Sequence, residues 1–342
     1  TKCFDITKLV KGWYEGTYAN NGIMLKKAVE TGNNADVAAN CIFWSDKYNN
    51  VTSAYPVIAI DYRNNKGVEG YWSYTSFSNG VGGTASVNDY SGNLVYTIPI
   101  ASSVSEIMPV SLSLVYNTYS AGEIYTAGKN NSNLTSAGKG WKLNYQQTLL
   151  PSSNYGLTGE DATNYPYVYT DGDGTEHYIA KFTENGQTVY KDEDGLGYTF
   201  THLGTAIAEY KLAQDDGSFM YFNSNGNLTH VYDNSGNRIL ITYDSTGKKL
   251  TKITDGTGHT FTISYISGTN YISTIEDNAG RKVNLTVSGG LTQISMIDGS
   301  KVYLRYHDTT ENLLYYVWSS DGIGRTFLYT SKNTGRRVFR TM

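Results

Sequence analysis

The sequence predicts an all-β chain: a partial β-sandwich followed by a repetitive antiparallel β-hairpin sheet. Three observations predict it. Apolar and polar residues alternate with a period of two through most of the second half, the signature of half-buried strands. Asp and Gly recur there on a fixed eleven-residue register. Helical periodicity is nearly absent, in a chain with 31 Tyr, 36 Gly and only 5 Pro.

Composition narrows the class. A length of 342 residues suffices for two or three domains. Tyr outnumbers the 10 Phe and 5 Trp; its ring covers a pleated face while its hydroxyl reaches water or a partner. Such a chain, short of long aliphatic runs, is expected to build sheets with one wet face rather than a thick two-sided core. A net charge of −4 gives no electrostatic case for nucleic acid, and the basic trio Arg336, Arg337 and Arg340 is too small to supply one. No run of 18 apolar residues marks a membrane span, and no signal peptide is visible. The chain opens at Thr1 and stops mid-pattern at Met342, so the expectation is a section of a longer protein. Cys3 and Cys41 are either one bridge or two thiols.

Along the chain, the one helix-like stretch, Ile23 to Glu30, is short, uncapped and preceded by an Asn-Asn-Gly turn signal. It reads as a strand running into a loop. From about residue 165 the alternation is clean. Ile239, Ile241 and Tyr243 share one face, as do Phe261, Ile263 and Tyr265, then Val283, Leu285 and Val287, then Val302, Leu304 and Tyr306. Asp233, Asp244 and Asp255 are eleven residues apart, and so are Gly236, Gly247 and Gly258. Asp277 with Gly280, and Asp321 with Gly324, continue the register. Two units make a hairpin of about 22 residues, and a fixed short period means repeats that bury their faces by stacking. Asp at a strand exit can accept the amides of the turn, and Gly can take the left-handed conformation before the next strand. These aspartates therefore read as turn makers.

The stretch Tyr232 to Tyr265 (YDNSGNRILITYDSTGKKLTKITDGTGHTFTISY) resembles the YD repeats of RHS proteins. Gly67 to Ile100, Met108 to Thr118 and Gly138 to Tyr145 are similar to the segments leading into the repeats of Gram-positive RHS proteins, and Tyr167 to Ile179 to their first hairpin. Phe4 to Lys26 and Cys41 to Arg63 resemble the last strands of the DNRLRE domain, a β-sandwich often placed ahead of RHS repeats. The resemblance implies a long β-ribbon spiralling into a hollow shell around a C-terminal toxin or effector. The family's self-cleaving aspartates and variable toxin have no counterpart in this sequence, so neither activity carries over.

Chemistry-bearing patterns are weak. Asp171, Asp173 and Glu176 suggest a Ca²⁺ loop, but the EF-hand spacing fails and a hairpin turn is the better reading; Asp192, Glu193 and Asp194 read likewise. His177, His202, His230, His259 and His307 lack zinc-site spacing. No nucleophile elbow, P-loop or dinucleotide fingerprint occurs. Trp13, Trp44 and Trp72 are either a sugar platform or core. Asn50, Asn133, Asn227 and Asn284 open N-x-[ST] sequons that read as chance. No catalytic, cofactor-binding or metal residue and no cofactor is assigned.

The expected organisation is 1–63 as the tail of a DNRLRE-like β-sandwich, 64–165 as a β-rich segment sealing the base of the shell, and 166–342 as the YD-repeat sheet. The expected function is a non-enzymatic scaffold of a secreted or wall-associated bacterial protein. Its partners would be the rest of the parent chain and its C-terminal effector. A carbohydrate-binding adhesin contacting wall or surface glycans is the alternative. Two open sheet edges would favour self-association.

Overall fold

A computed structural model describes residues 6–14, 17–21, 23, 66–70, 72–123, 136–193, 195–205, 207–307, 313–330 and 338–341. Of these, 48% lie in strands and 8% in helices, so the chain is all-β. It divides into two compact units, Thr1–Tyr62 and Arg63–Met342.

In the first unit, Thr7–Tyr14 forms a helix, α1, where the resemblance of Phe4 to Lys26 implies strands. Ile6, Leu9, Val10 and Trp13 recur at three- and four-residue spacing and are half-buried together, the stripe that favours helix over strand. Trp44, both cysteines and residues 24–30 lie outside the described residues.

The second unit opens with a five-stranded antiparallel sheet in simple order: β1 (Tyr74–Ser78), β2 (Thr84–Asn88), β3 (Leu94–Ser102), β4 (Ser111–Asn117) and β5 (Trp141–Leu143). Two short helices, α2 (Thr118–Glu123) and α3 (Gly159–Asn164), lie in connections. A ribbon follows, with each strand antiparallel to the next. It runs through β6 (Thr148–Pro151), β7 (Tyr167–Thr170), β8 (Glu176–Glu184), β9 (Gln187–Asp192), β10 (Thr199–His202) and β11 (Tyr210–Ala213). It continues through β12 (Phe219–Phe222), β13 (Leu228–Tyr232), β14 (Arg238–Tyr243), β15 (Leu250–Thr254), β16 (Thr260–Tyr265) and β17 (Ile272–Asp277). Its last strands are β18 (Lys282–Val287), β19 (Leu291–Ser295), β20 (Lys301–Tyr306), β21 (Leu314–Ser319), β22 (Gly324–Tyr329) and β23 (Val338–Thr341). The ribbon thus starts at Thr148, inside the segment 64–165. It closes on itself: Leu149 donates its amide to Gly226 O at 2.8 Å, and Leu228 to Gln147 O at 3.1 Å. The edge of β6 is therefore not free for pairing with another chain.

The inner face of the ribbon is covered in this section, while the alternate residues of its strands face outward. Ile239, Ile253, Ile263, Ile275, Val302, Val317 and Phe327 of the ribbon are buried in one continuous core with Tyr96, Leu112, Leu114 and Trp141 of the five-stranded sheet. Polar groups register the two sheets. Trp141 Nε1 donates to the Tyr306 hydroxyl at 2.9 Å, and the Leu314 amide to the Tyr116 hydroxyl at 3.1 Å. The Ile272 amide donates to Ser136 O at 2.6 Å. From β14 to β21 each strand brings only two buried apolar residues, yet full burial of each is worth roughly 1.5–3 kcal/mol. The inner sheet supplies the second face that makes that burial possible.

Candidate functional site

The turns show what the repeated aspartates do. Asp233 Oδ1 accepts the amides of Ser235 and Asn237, Asp255 Oδ1 those of Thr257 and His259, and Asp277 Oδ1 those of Ala279 and Arg281, at 2.8–2.9 Å. Burial opposes the charge of Asp255, but hydrogen bonds from Ser103, Thr257 and His259 hold its carboxyl down at about 2. Asp244 on the opposite edge accepts from Lys248 and Lys249. The register has slipped by the last unit. Ser319, not Asp321, stands at the strand exit, its amide donating to Ile323 O. The left-handed glycine there is Gly322 (φ 84°). Gly324 is instead the first residue of β22, where a Cβ would meet the Tyr316 hydroxyl at 2.6 Å. Asp321 Oδ2 turns to the inner sheet and accepts the Val81 amide at 3.3 Å.

A second device recurs that the turn register does not reveal. Tyr243, Tyr265, Tyr306 and Tyr329 each donate a hydroxyl hydrogen bond of 2.8–2.9 Å to a leucine carbonyl fifteen residues earlier, those of Leu228, Leu250, Leu291 and Leu314. Each tyrosine follows a β-bulge, which re-aims its side chain. The phenol thereby fastens one strand pair to the strand before it. Burial pushes all four hydroxyls above the usual tyrosine range. The Leu-x14-Tyr spacing was legible in the sequence and is the signal that would have found these residues. In β18 the position is Val287 and the phenol is missing.

Asp171, Asp173 and His177 do come together, in the turn between β7 and β8. Asp171 Oδ1 accepts the amides of Asp173, Gly174 and Thr175, all at 3.0 Å, and Oδ2 lies 3.5 Å from His177 Nε2. Asp173 accepts the Thr175 hydroxyl at 2.6 Å and, across the seam to the segment before β1, the Val68 amide at 3.0 Å. Lys66 pairs with Glu176 at 2.8 Å. The ammonium of Lys142 donates to Asp171 O and to Gln146 O. Burial, then the charge of Asp171, pushes the Asp173 carboxyl up to about 7. Burial pulls Lys142 down to about 8 against the pull of both aspartates. The acidic oxygens are thus used by the turn and the seam. Among the described residues, no group of three His, Cys, Asp or Glu side chains is placed to hold a metal ion. A cavity of about 470 Å³ lies beside this seam, lined by Gln147, Tyr169, Asp171, His177 and Tyr198 among others.

The remaining candidates are dispersed. His202 meets Glu209 at 2.7 Å and His259 meets Asp255 at 3.2 Å, while His230 and His307 pack on tyrosines. Asp192 caps its own loop through the amides of Leu196 and Tyr198; Asp194 lies outside the described residues. Asn227 Nδ2 bonds Gly247 O. Trp13 is half-buried. Trp72 stacks on Tyr90 at 5.8 Å. On the ribbon, Tyr303, Trp318 and Tyr316 stack nearly parallel, 4.9–5.1 Å apart, with the Arg305 guanidinium 5.2 Å from the Trp318 ring.

No family model and no curated protein matches the chain. Among solved structures it is similar to a crystal structure of TcdB2-TccC3, with a TM-score of 0.37 and 10% identity over 81% of this chain and 18% of that one. A Photorhabdus luminescens Tc holotoxin pore carrying a TccC3 variant gives a TM-score of 0.34 and 11% identity, over 81% and 17%. TcdB2-TccC3-Cdc42 gives 0.27 and 11%, over 72% and 14%. The chain spans less than a fifth of the length of each.

Proposed function

We propose that the chain is a non-enzymatic scaffold: the base of an RHS-type wall, whose ribbon continues in the parent protein around a C-terminal toxin or effector. The observation that carries this reading is the pairing of the ribbon, strictly strand to next strand and fastened by recurring phenols, with its start filled by the five-stranded sheet. Such a strip can be lengthened by repeats without redesigning its core, and a filled start gives a wall a floor. The reading also includes secretion or wall association in a Gram-positive bacterium, and a DNRLRE-like origin for residues 1–63.

The test uses the full gene product. Its segment downstream of the repeats should resist trypsin until the wall is opened with denaturant; cleavage at the rate of the isolated segment would sink the proposal. A glycan array on the same protein separates the scaffold from an adhesin. Saturable sugar binding lost on replacing Trp72 or Trp318 by Ala would favour the adhesin.

A further inference from the structure

Strand edges in the second unit are guarded in several ways. β5 is buried along its length. β6 is closed by Gly226 and Gln147, and β23 gives its Val338 amide to Gly92 O at 2.9 Å. The β8–β9 hairpin runs out beyond its neighbours, which reach only Ile179 on one side and Tyr190 on the other. Lys181 and Glu184 stand exposed on that stretch, and Glu184 pairs with Lys191 at 2.7 Å. Charges so placed discourage an edge from taking up another strand.

β1 has no such device. It is the terminal strand of its sheet and pairs with β2 alone among the described residues. Its sequence, YTSFS, carries no charge and no proline, and its register is unbroken over all five residues. The Asp89 amide donates to Ser73 O at 3.0 Å and the Asn79 amide to Gly83 O at 2.7 Å. Hydrogen-bonded and non-hydrogen-bonded pairs alternate along an antiparallel ladder, so Ser73, Thr75, Phe77 and Asn79 turn their backbone groups toward β2. Those of Tyr74, Ser76 and Ser78 point away from it. The side chains agree, since the Ser76 and Ser86 hydroxyls lie 3.1 Å apart, the close approach of a non-hydrogen-bonded pair. Thr75, Ser76 and Ser78 are exposed.

The outward groups are symmetric about Ser76. A second β1 laid antiparallel, with Ser76 opposite Ser76, sets Tyr74 opposite Ser78 at both ends and satisfies every outward N–H and C=O of both strands. Shifting the register by two residues leaves the groups at one end unpaired. In the centred register Thr75 stands against Phe77 of the other copy, twice, an aromatic and β-branched pairing that favours strand association. No like charges meet across the two-fold, and a charged partner strand would find no complementary charge on β1. We infer that β1 is a self-pairing edge, through which two copies of the chain join their five-stranded sheets. Strands this short bury less than the about 1,200 Å² of a stable interface, so the dimer is weak and set by concentration. It is independent of whether the ribbon encloses an effector.

Sedimentation of the chain over a range of concentrations tests the pairing. The parent is expected to pass from monomer to dimer. Ser76→Pro removes an amide that points away from β2 and keeps the β1–β2 ladder, as proline is tolerated on the outer side of an edge strand. Ser76→Lys sets two like charges together on the two-fold. Both variants are expected to stay monomeric, with urea midpoints close to the parent's. Oxidation of Ser76→Cys should link the two 76 positions, because hydrogen-bonded partners stand about 5.5 Å apart, a span that suits a disulfide. A parent that stays monomeric at every concentration overturns the inference. So does a dimer that survives both substitutions, or one in which peptide mapping finds no link between the 76 positions.

Discussion

At the scale of single residues, the ribbon uses hydrogen bonds where a thicker protein would use bulk. The Tyr265 hydroxyl reaches Leu250 O at 2.8 Å, and a phenylalanine there would keep the ring and lose only that bond. Tyr265→Phe is expected to cost about 1 kcal/mol, rising toward 3 if the leucine carbonyl stays dry. Tyr315→Phe, at an exposed ring, should change nothing. Urea denaturation of both variants decides it; equal midpoints would mean the phenols only fill space. Asp277 also holds its turn with a 2.7 Å bond to Arg281 Nε. The role of such aspartates was legible in the sequence because turn chemistry is local. The slip at Ser319 was not, because SSDGIGR offers two glycines and only the pairing of β21 with β22 selects Gly322.

At the scale of elements, the one missing phenol has a reason. The leucine position that Tyr at 287 would reach is Ile272, and the Ile272 amide is where the inner sheet arrives, on Ser136 O. A Cβ on Gly138 would sit 2.8 Å from the Leu291 amide, so the loop passes closely over this strand pair. Val287→Tyr is therefore expected to destabilise by about 1–3 kcal/mol through overpacking, although Tyr is the repeat residue. A variant as stable as the parent would show that the notch has room. The seam at Asp173 makes a prediction about pH. Its carboxyl is raised to about 7 in the folded chain, against an ordinary value near 4 when unfolded. The folded state then binds the extra proton between these values, so this group's contribution to stability falls as pH rises from about 4 through 7. Asp171, whose charge His177 and Lys142 favour against burial, is shifted downward and acts oppositely, below the usual carboxylate range. The melting temperature of Asp173→Asn should gain on the parent between pH 5 and pH 8; a gap that stays constant would rule the shift out.

At the scale of the whole second unit, alternation and register disclosed the strands because a half-buried strand writes its two faces into sequence. They did not disclose the filling. Tyr and Thr made the inner face look thin, and nothing local in Tyr96, Leu114 or Trp141 says that their sheet lies under the repeats. That follows only from closure of the ribbon, a long-range property. Closure also bears on how the unit unfolds. Trp141 is fully buried, packs against Tyr96 and Tyr116 of the inner sheet and bonds Tyr306 of the ribbon. Neither sheet has a second apolar face without the other. Trp141→Ala should cost about 3–5 kcal/mol and leave a single cooperative transition, with amides of β3–β5 and of β19–β22 losing hydrogen-exchange protection at one common free energy. If the ribbon amides stayed protected while those of the inner sheet exchanged, the repeats would be stabilised by stacking alone and the inner sheet would be a passenger rather than the floor on which the ribbon is built.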